Sequence, residues 1–460
     1  TDFELPYPVI NTETGKFDVT RNGSDYIGGF KTQKANFQPR LGVSYSPDGG
    51  KTVLRAGGGR YYGILQLSAL TQAVMWSGRN FADLNFTSAQ SLQLWQMLQD
   101  PTSPFYNGGQ QRLRSSQRLE VMRFFGLKAT IQPAPKAPKE PYSDQVSFGA
   151  ERQLTRWLAG SATYIYSRGR DNVRNANLNL PASTFYPQGA LLPSGVITPY
   201  DVWYAGTTRP DPTFDNINTY VQEGTIRYRG LATALTARWT RGLTLRANYS
   251  SNNTYDDAVT TNVLQQPANQ TNPNCGRRGG ECEWATSNLS RKHLLVVSGT
   301  YTLPASLPVY ARDWQVATIS SMRSGAPVTV SAGFDFDNDV ILTDRPLGVP
   351  RNALWSHPNY NVDIRVNRII PVSARKSMEV MFDMFNVFNT ANPTSYVTTL
   401  YRLSGGRYIP RDDFAAFQNS GQLNTLDLSR SPKDIGLDRD TRVSGYGAAF
   451  QGQLGLRFRF

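Results

Sequence analysis

Asp335, Asp337 and Asp339 stand at alternate positions of one polar stretch, with Asp344 following. Carboxylates this close can gather a hard cation such as calcium, which is held by oxygen ligands. The pattern is not that of an EF-hand loop, because Val340 takes the place of the required glycine and Pro346 that of the terminal glutamate. Two readings stay open: a calcium ion on Asp335, Asp337 and Asp339, or a solvated acidic loop partly neutralised by Arg345 and Arg351. Cys275 and Cys282 bracket GRRGGE. Such spacing in a glycine-rich stretch predicts a local disulfide and an oxidising compartment, with two free thiols as the alternative. The two histidines, His293 and His357, are far apart and there is no second cysteine pair, so no zinc site is expected. GxSxG, HExxH and the phosphate-binding glycine loops are absent. GGGRYYG, Gly57 to Gly63, is followed by no helical pattern and reads as close strand packing. No catalytic set emerges, and the expectation is a protein that is not an enzyme, with no cofactor beyond the candidate calcium ion.

The elements that must position these residues are strands. In the last fifteen residues Tyr446, Ala448, Phe450, Leu454, Leu456, Phe458 and Phe460 share one parity, against Gln451, Gln453, Arg457 and Arg459 on the other. That is one strand with an apolar and a charged face. The same alternation marks Phe37 to Ser46, Thr52 to Tyr62, Tyr142 to Leu154, Trp157 to Ser167, Thr225 to Trp239, Leu243 to Tyr255, Lys292 to Leu303, Trp314 to Arg323, Asn359 to Ile370 and Lys376 to Phe388. About eleven strands result, each near the length a tilted strand needs to cross a bilayer.

Composition narrows the class. Hydrophobic residues make up 39% and mean hydropathy is -0.44, yet aromatics reach 12%. This suits polar loops between strands that carry aromatic girdles, and suits neither a helical bundle nor disorder. No apolar run approaches the roughly 20 residues of a spanning helix. The net charge of +13 comes from dispersed basic residues with no nucleic-acid motif, and reads as a surface facing anionic lipid headgroups. Thr1 is not an initiator methionine and no export signal precedes the first strand, so the chain is read as a processed or truncated piece.

Connection lengths alternate. SPDGGK, QLTRW, TRGL and PVSAR are short and TLPASLPVYARD is moderate. The intervening connections, Gly63 to Pro141, Gly169 to Gly224, Asp256 to Arg291, Ser324 to Pro358 and Asn389 to Gly445, are long. Short periplasmic turns and long extracellular loops are the pattern of an antiparallel transmembrane β-barrel. A propeller would show a fixed repeat, and a sandwich rarely carries such loops. Within the first long connection, Leu84 to Gln99 has apolar residues at helical spacing and predicts a short helix. Gln132 to Pro141 reads as an extended spacer. Asn386 and Asn389 read as turn formers at a strand exit. Trp76, Trp95, Trp203 and Tyr204 could stack on a ligand or simply pack the loops.

Several stretches resemble the C-terminal barrel of TonB-dependent outer-membrane receptors, particularly the Oar-like branch. They are NFQPRLGVSYSPDGGKTVLRAGGGRYYG (Asn36 to Gly63), PYSDQVSFGAERQLTRWLAGSATYIYSRG (Pro141 to Gly169), YRGLATALTARWTRGLTLRANYS (Tyr228 to Ser250), DFDNDVILTDRPLGVPRNAL (Asp335 to Leu354), VDIRVNRIIPV (Val362 to Val372) and MFDMFNVFNTANP (Met381 to Pro393), with the final Phe460. They occur in order over nearly the whole chain. The resemblance implies an all-β barrel of about 22 strands closed around an N-terminal plug. Residues 1–460 would then be about the C-terminal half, without plug or TonB box, and would form an open sheet with two unpaired edges.

On that reading Asp363, Arg365, Glu379, Asp383, Arg457 and Arg459 face the lumen, pairing with a plug, lining a route or hydrating the interior. Phe460 would be the C-terminal barrel-assembly signal, read by the assembly machinery. The resemblance implies uptake or surface binding of a large ligand, energised through TonB at the outer membrane of a Gram-negative bacterium. Outer-membrane lipid, lipopolysaccharide and the TonB complex would be the partners, with no nucleic acid. An open porin and a surface-adhesion or export barrel are the alternatives.

Overall fold

A computed structural model of the chain describes residues 35–64, 86–110, 117–132, 139–187, 202–212, 214–239, 242–257, 283–304, 306–333, 351–373, 376–399 and 443–459, with short stretches between and before them. Eleven strands follow one another along one antiparallel sheet. We number them β1 (Arg40–Tyr45), β2 (Thr52–Tyr62), β3 (Tyr142–Gln153), β4 (Leu158–Asn177), β5 (Phe214–Arg238), β6 (Leu243–Asp256), β7 (Leu294–Thr302), β8 (Trp314–Arg323), β9 (Asn359–Pro371), β10 (Ser377–Phe385) and β11 (Gln451–Arg459). Each period-two segment of the sequence is a strand of this meander. The expected boundaries fail at β4 and β5, which continue past Ser167 and begin before Thr225, so that this hairpin projects beyond its neighbours at the long-loop end.

Register assigns the faces. Leu454 lies opposite Phe382, Phe382 opposite Val366, Val366 opposite Val316, and Val316 opposite Tyr301. Leu41 and Val43 of β1, Ala56 of β2, Val146 and Phe148 of β3, Tyr164 of β4 and Leu231 of β5 continue the same face. An apolar band therefore crosses all eleven strands, and much of it is exposed: Leu41 is 78% and Leu454 70% accessible. A soluble sheet would cover such a band, so the solvent it fits is lipid.

The strands are staggered in the sense a barrel requires. One row of register partners starts at Tyr45, at the turn end of β1, and passes through Leu54, Ala150, Ala162, Thr233, Tyr249, Leu295 and Met322. It arrives at Tyr360, next to the loop end of β9. The row climbs eleven residue steps, from the level of Pro371 to Tyr360, in eight strand-to-strand steps. At about 3.3 Å per residue along a strand and about 4.8 Å between strands, that is a tilt of roughly 40°, the tilt of a transmembrane barrel wall.

Aromatic rings border the band. On the turn side Trp157 and Trp239 stack with centroids 4.6 Å apart, and Tyr45, Tyr301 and Trp314 share the band face. On the loop side stand Tyr62 and Tyr142, 5.6 Å apart, with Tyr166, Tyr255 and Tyr360. The ten residue steps from Arg229 to Trp239 span about 34 Å along the strand and about 25 Å of depth after tilt, the height of an apolar barrel belt.

Among the described residues β1 pairs only with β2 and β11 only with β10, so the sheet is open as expected. The glycine run of β2 sits where backbones crowd: a Cβ at Gly59 would come within 2.6 Å of the Pro39 carbonyl oxygen. No helix among the described residues is long and apolar enough to cross a membrane.

The expected helix of the first long loop is α1, Ser88–Gln99, opened by a capping box in which Thr87 Oγ1 accepts from Gln90 N at 3.2 Å. Its Leu98 packs with Phe105 and with Val121 of α2, Arg118–Phe125. That second helix has no side-chain cap at its start, so the sequence carries little sign of it.

Candidate functional site

Two regions gather polar side chains that the fold positions. The first is the sheet face opposite the apolar band, which carries all six charged residues singled out by their alternation. Arg365 stands directly across from Asp383 and forks onto it, Nε at 2.5 Å and Nη2 at 2.8 Å. Arg457 stands across from Glu379, with Nη1 3.2 Å from Oε2, and Arg459 adds a second contact at 3.9 Å. Asn367 donates to the other oxygen of Glu379 at 3.0 Å. Asp363 accepts from Asn361 Nδ2 and from the Asn386 amide, both at 2.9 Å. Three carboxylates and three guanidiniums thus sit on one patch, with cross-strand pairs holding the register of β9, β10 and β11. Arg55 and Glu151 repeat the device between β2 and β3 at 2.9 Å, a pair not singled out from sequence.

The second region is the set of long connections, which are joined to one another. Loop 63–141 meets the β4–β5 extension through Ile131, Ala129 and Ile217, packed with Phe214 and Met122. In loop 178–213, the fully buried Asn179 donates to the carbonyls of Asp211 (2.9 Å) and Phe214 (3.0 Å) and accepts from the Asp211 amide (2.8 Å). Arg209 bonds Asn179 O at 3.2 Å and reaches the carbonyl of Asn338, in loop 324–358. Asn338 Nδ2 returns a bond to Gly206 O at 3.3 Å, and Phe336 meets the ring of Tyr204.

The next joint is ionic and buried. Glu283 is 0% and Arg345 1% exposed, and they form a two-bond fork with N–O distances of 2.5 and 3.2 Å. Arg351 bonds the Asp256 carbonyl at 2.7 Å and the Asp256 carboxylate, and lies 4.0 Å from Glu283. Burial pushes the Asp256 carboxyl up while Arg351 opposes the shift, so desolvation and Coulomb attraction contend in this pair. Asn352, at φ 57, donates to Thr286 O at 2.7 Å and fixes the same two segments. Loop 324–358 is tied in turn to loop 386–450: His357 and Tyr396 stack at an interplanar angle of 4°, with Nδ1 2.8 Å from the hydroxyl.

Several sequence expectations meet the structure here. Arg345 and Arg351 hold Glu283 and Asp256, and Asp344 is fully buried and accepts from the Phe336 amide. Asp335 is partly buried in this layer, while Asp337 and Asp339 lie outside the described residues, as do Cys275, Cys282, Phe460 and Trp76. Among the described residues no group of three or more His, Cys, Asp or Glu side chains could hold a metal. Asn386 and Asn389 are turn formers, at φ 48 and 47, with Asn386 capping Thr390 and bonding Ala448 O at 3.0 Å. Trp95 is exposed on α1, Tyr204 packs on Tyr186 and Phe336, and the side chain of Trp203 lies outside the described residues.

Comparison with known proteins adds a family. A profile of the outer membrane beta barrel domain matches residues 3–350. A search of curated proteins gives no match. Among solved structures, the chain is similar to the outer membrane transporter YddB from Escherichia coli, at 10% identity and a TM-score of 0.40, over 75% of this chain and 35% of that one. The ferric enterobactin receptor PfeA from Pseudomonas aeruginosa gives 12% identity and a TM-score of 0.41, over 80% and 36%. The siderophore receptor PirA from Acinetobacter baumannii gives 10% and 0.41, over 77% and 37%. The chain spans little more than a third of the length of each.

Proposed function

Because this chain belongs to the outer membrane beta barrel domain family and so resides in the outer membrane of a Gram-negative bacterium, we propose that it is the C-terminal part of the barrel of a TonB-dependent receptor, of the Oar-like branch. It would take up or bind a large ligand without catalysis. The observation that carries the reading is the joining of all five long connections, by buried side chains at Ile217, Arg209 and Glu283 and by a half-buried ring pair at His357. An open channel gains nothing from tying its loops together at the cost of burying charges, whereas a binding platform gains affinity from loops ordered before the ligand arrives. The ordered family stretches in the sequence support the same branch.

In this reading residues 1–460 belong to a wall of about 22 strands, with plug and TonB box earlier in the protein. The patch of Asp363, Arg365, Glu379, Asp383, Arg457 and Arg459 faces the lumen, already neutralised within itself, so that a plug segment could slide past without capture by a bare charge. The run Asp335, Asp337 and Asp339 is carried as a loop calcium site on its spacing alone. Cys275 and Cys282 are carried as a disulfide, and Phe460 as the assembly signal.

The test is conductance. The protein made from its full reading frame, inserted in planar bilayers, is expected to be nearly silent, and to conduct steadily once its plug is deleted. Steady conductance of the intact protein would overturn the receptor and leave the open porin.

A further inference from the structure

The lipid-facing side carries charge where the apolar band ends. Arg60 near the loop end of β2, Arg168 and Arg170 of β4, and Arg227 and Arg229 of β5, where that hairpin begins to project past its neighbours, share the band face, with Asp144 of β3 as their acidic neighbour. Asp144 is committed to Arg60, at 2.8 and 3.0 Å, and that guanidinium lies 4.3 Å over the Tyr142 ring. Arg168 is the register partner of Arg227, placing two cations directly opposite each other, an arrangement that destabilises a sheet. Among the described residues no carboxylate forms an ion pair with Arg168, Arg170, Arg227 or Arg229. Arg229 and Arg227 instead lie over the rings of Tyr166 and Tyr255, at 5.9 and 5.4 Å.

Directly below, toward the turns, the same strands form an apolar groove of about 480 Å³ floored by Ala56, Ala150 and Ala162 and walled by Leu54, Phe148 and Tyr164. On every strand the offset is the same. Arg60 lies four residues beyond Ala56, Asp144 four beyond Phe148, Arg168 four beyond Tyr164 and Arg227 four beyond Leu231. Four residues along strands tilted by roughly 40° correspond to about 10 Å of depth.

A cluster of cations at the edge of the lipid band, above a groove of acyl-chain character, has the layout of an anionic amphiphile. We propose that β1 to β5 form a specific site for an anionic outer-leaflet lipid, its phosphates among Arg168, Arg170, Arg227 and Arg229 and its acyl chains along Ala56, Ala150 and Ala162. Phosphate supplies the missing counter-charge and relieves the Arg168–Arg227 opposition. The proposal rests on the membrane placement of the sheet and not on the receptor reading, which the conductance experiment tests separately.

The test uses the full-length protein, purified from outer membranes, freed of lipid and checked for its folded, heat-modifiable gel mobility. Thermal shift is followed on titration with lipopolysaccharide, phosphatidylcholine or inorganic phosphate. Lipopolysaccharide is expected to raise the melting temperature of the unaltered protein. The Arg168→Gln/Arg229→Gln variant should need about tenfold more, and Ala150→Phe, which fills the groove and keeps the arginines, should also respond less. Phosphatidylcholine and inorganic phosphate should give no shift at matched concentration. Without lipid, Arg168→Gln should melt at or above the unaltered protein, because a repulsion is gone. Should the double variant fail to fold, Arg170→Gln, at an exposed site, is compared in its place. Equal responses of all variants, a shift with phosphatidylcholine, or reproduction by inorganic phosphate would each overturn the site, the last in favour of a free-anion site.

Discussion

Arg345→Leu is expected to weaken the joint between the long loops by about 3–5 kcal/mol, because it strands the Glu283 carboxylate at a site closed to bulk solvent. Glu283 is 0% exposed and is held by Arg345 through two bonds, at 2.5 and 3.2 Å, while Arg351 approaches only to 4.0 Å and is itself engaged by Asp256. The loss should appear as earlier cleavage of residues 283–358 by trypsin in rising urea, with the strands still protected. Removing both partners separates the cost of a stranded charge from the worth of the pair. Arg345→Leu/Glu283→Leu should recover more than half of the loss, since two apolar side chains can fill a site that an unpaired ion cannot. If the double variant is as labile as the single one, the pair contributes through shape rather than charge, and the platform argument loses its physical basis.

The second large effect lies in the wall. Val297→Arg should cost about 2–4 kcal/mol, whereas Val296→Arg, one position away, should cost less than about 1 kcal/mol. Both residues are near the middle of β7 and both substitutions are identical, so propensity and length cancel. What differs is the face: Val297 is partnered by Ala247 and Ser320 on the apolar band, and Val296 by Asn248 and Ser321 on the polar side. Folding into lipid vesicles, followed by gel mobility across a urea series, measures both. Equal costs would mean that the two faces meet the same solvent.

Much of the wall was legible because its physics is local. A strand between lipid and water must alternate, and Asn359–Pro371, with Tyr360, Val362, Ile364 and Val366 opposed to Asn361, Asp363, Arg365 and Asn367, carries that constraint until Arg368 and Ile369 break it near the turn. The outer parts of β4 and β5 lost the signal for the same reason. Beyond Arg168 and before Thr225 the hairpin has left the lipid, its faces pack against other loops at Ile217 and at buried asparagines, and RDNVRNAN alternates in nothing.

The loop layer was illegible for a different reason. Glu283 and Arg345 are 62 positions apart, and no local pattern says that two charges so distant are buried against each other. Adjacency in sequence relates Arg345 to the acidic run beside it and carries no sign of Glu283. Asn386 lies at the other extreme: its role as a turn former is local, through Thr390 four residues on, and could be read directly. The arginine cluster falls between these cases. Arg168 and Arg227 are each ordinary basic residues, and only the register that sets them face to face gives them a meaning.

The most direct test of the central claim, that this sheet is a barrel wall with its apolar band in lipid, is the accessibility of single spin labels at successive positions 294–301 of β7 in a bilayer. Collision with oxygen, which concentrates in the hydrocarbon, should peak at 295, 297, 299 and 301, and collision with a water-soluble nickel chelate should peak at 294, 296, 298 and 300. Two curves of period two in opposite phase are the predicted result. Curves in the reverse phase, or no alternation at all, would contradict it.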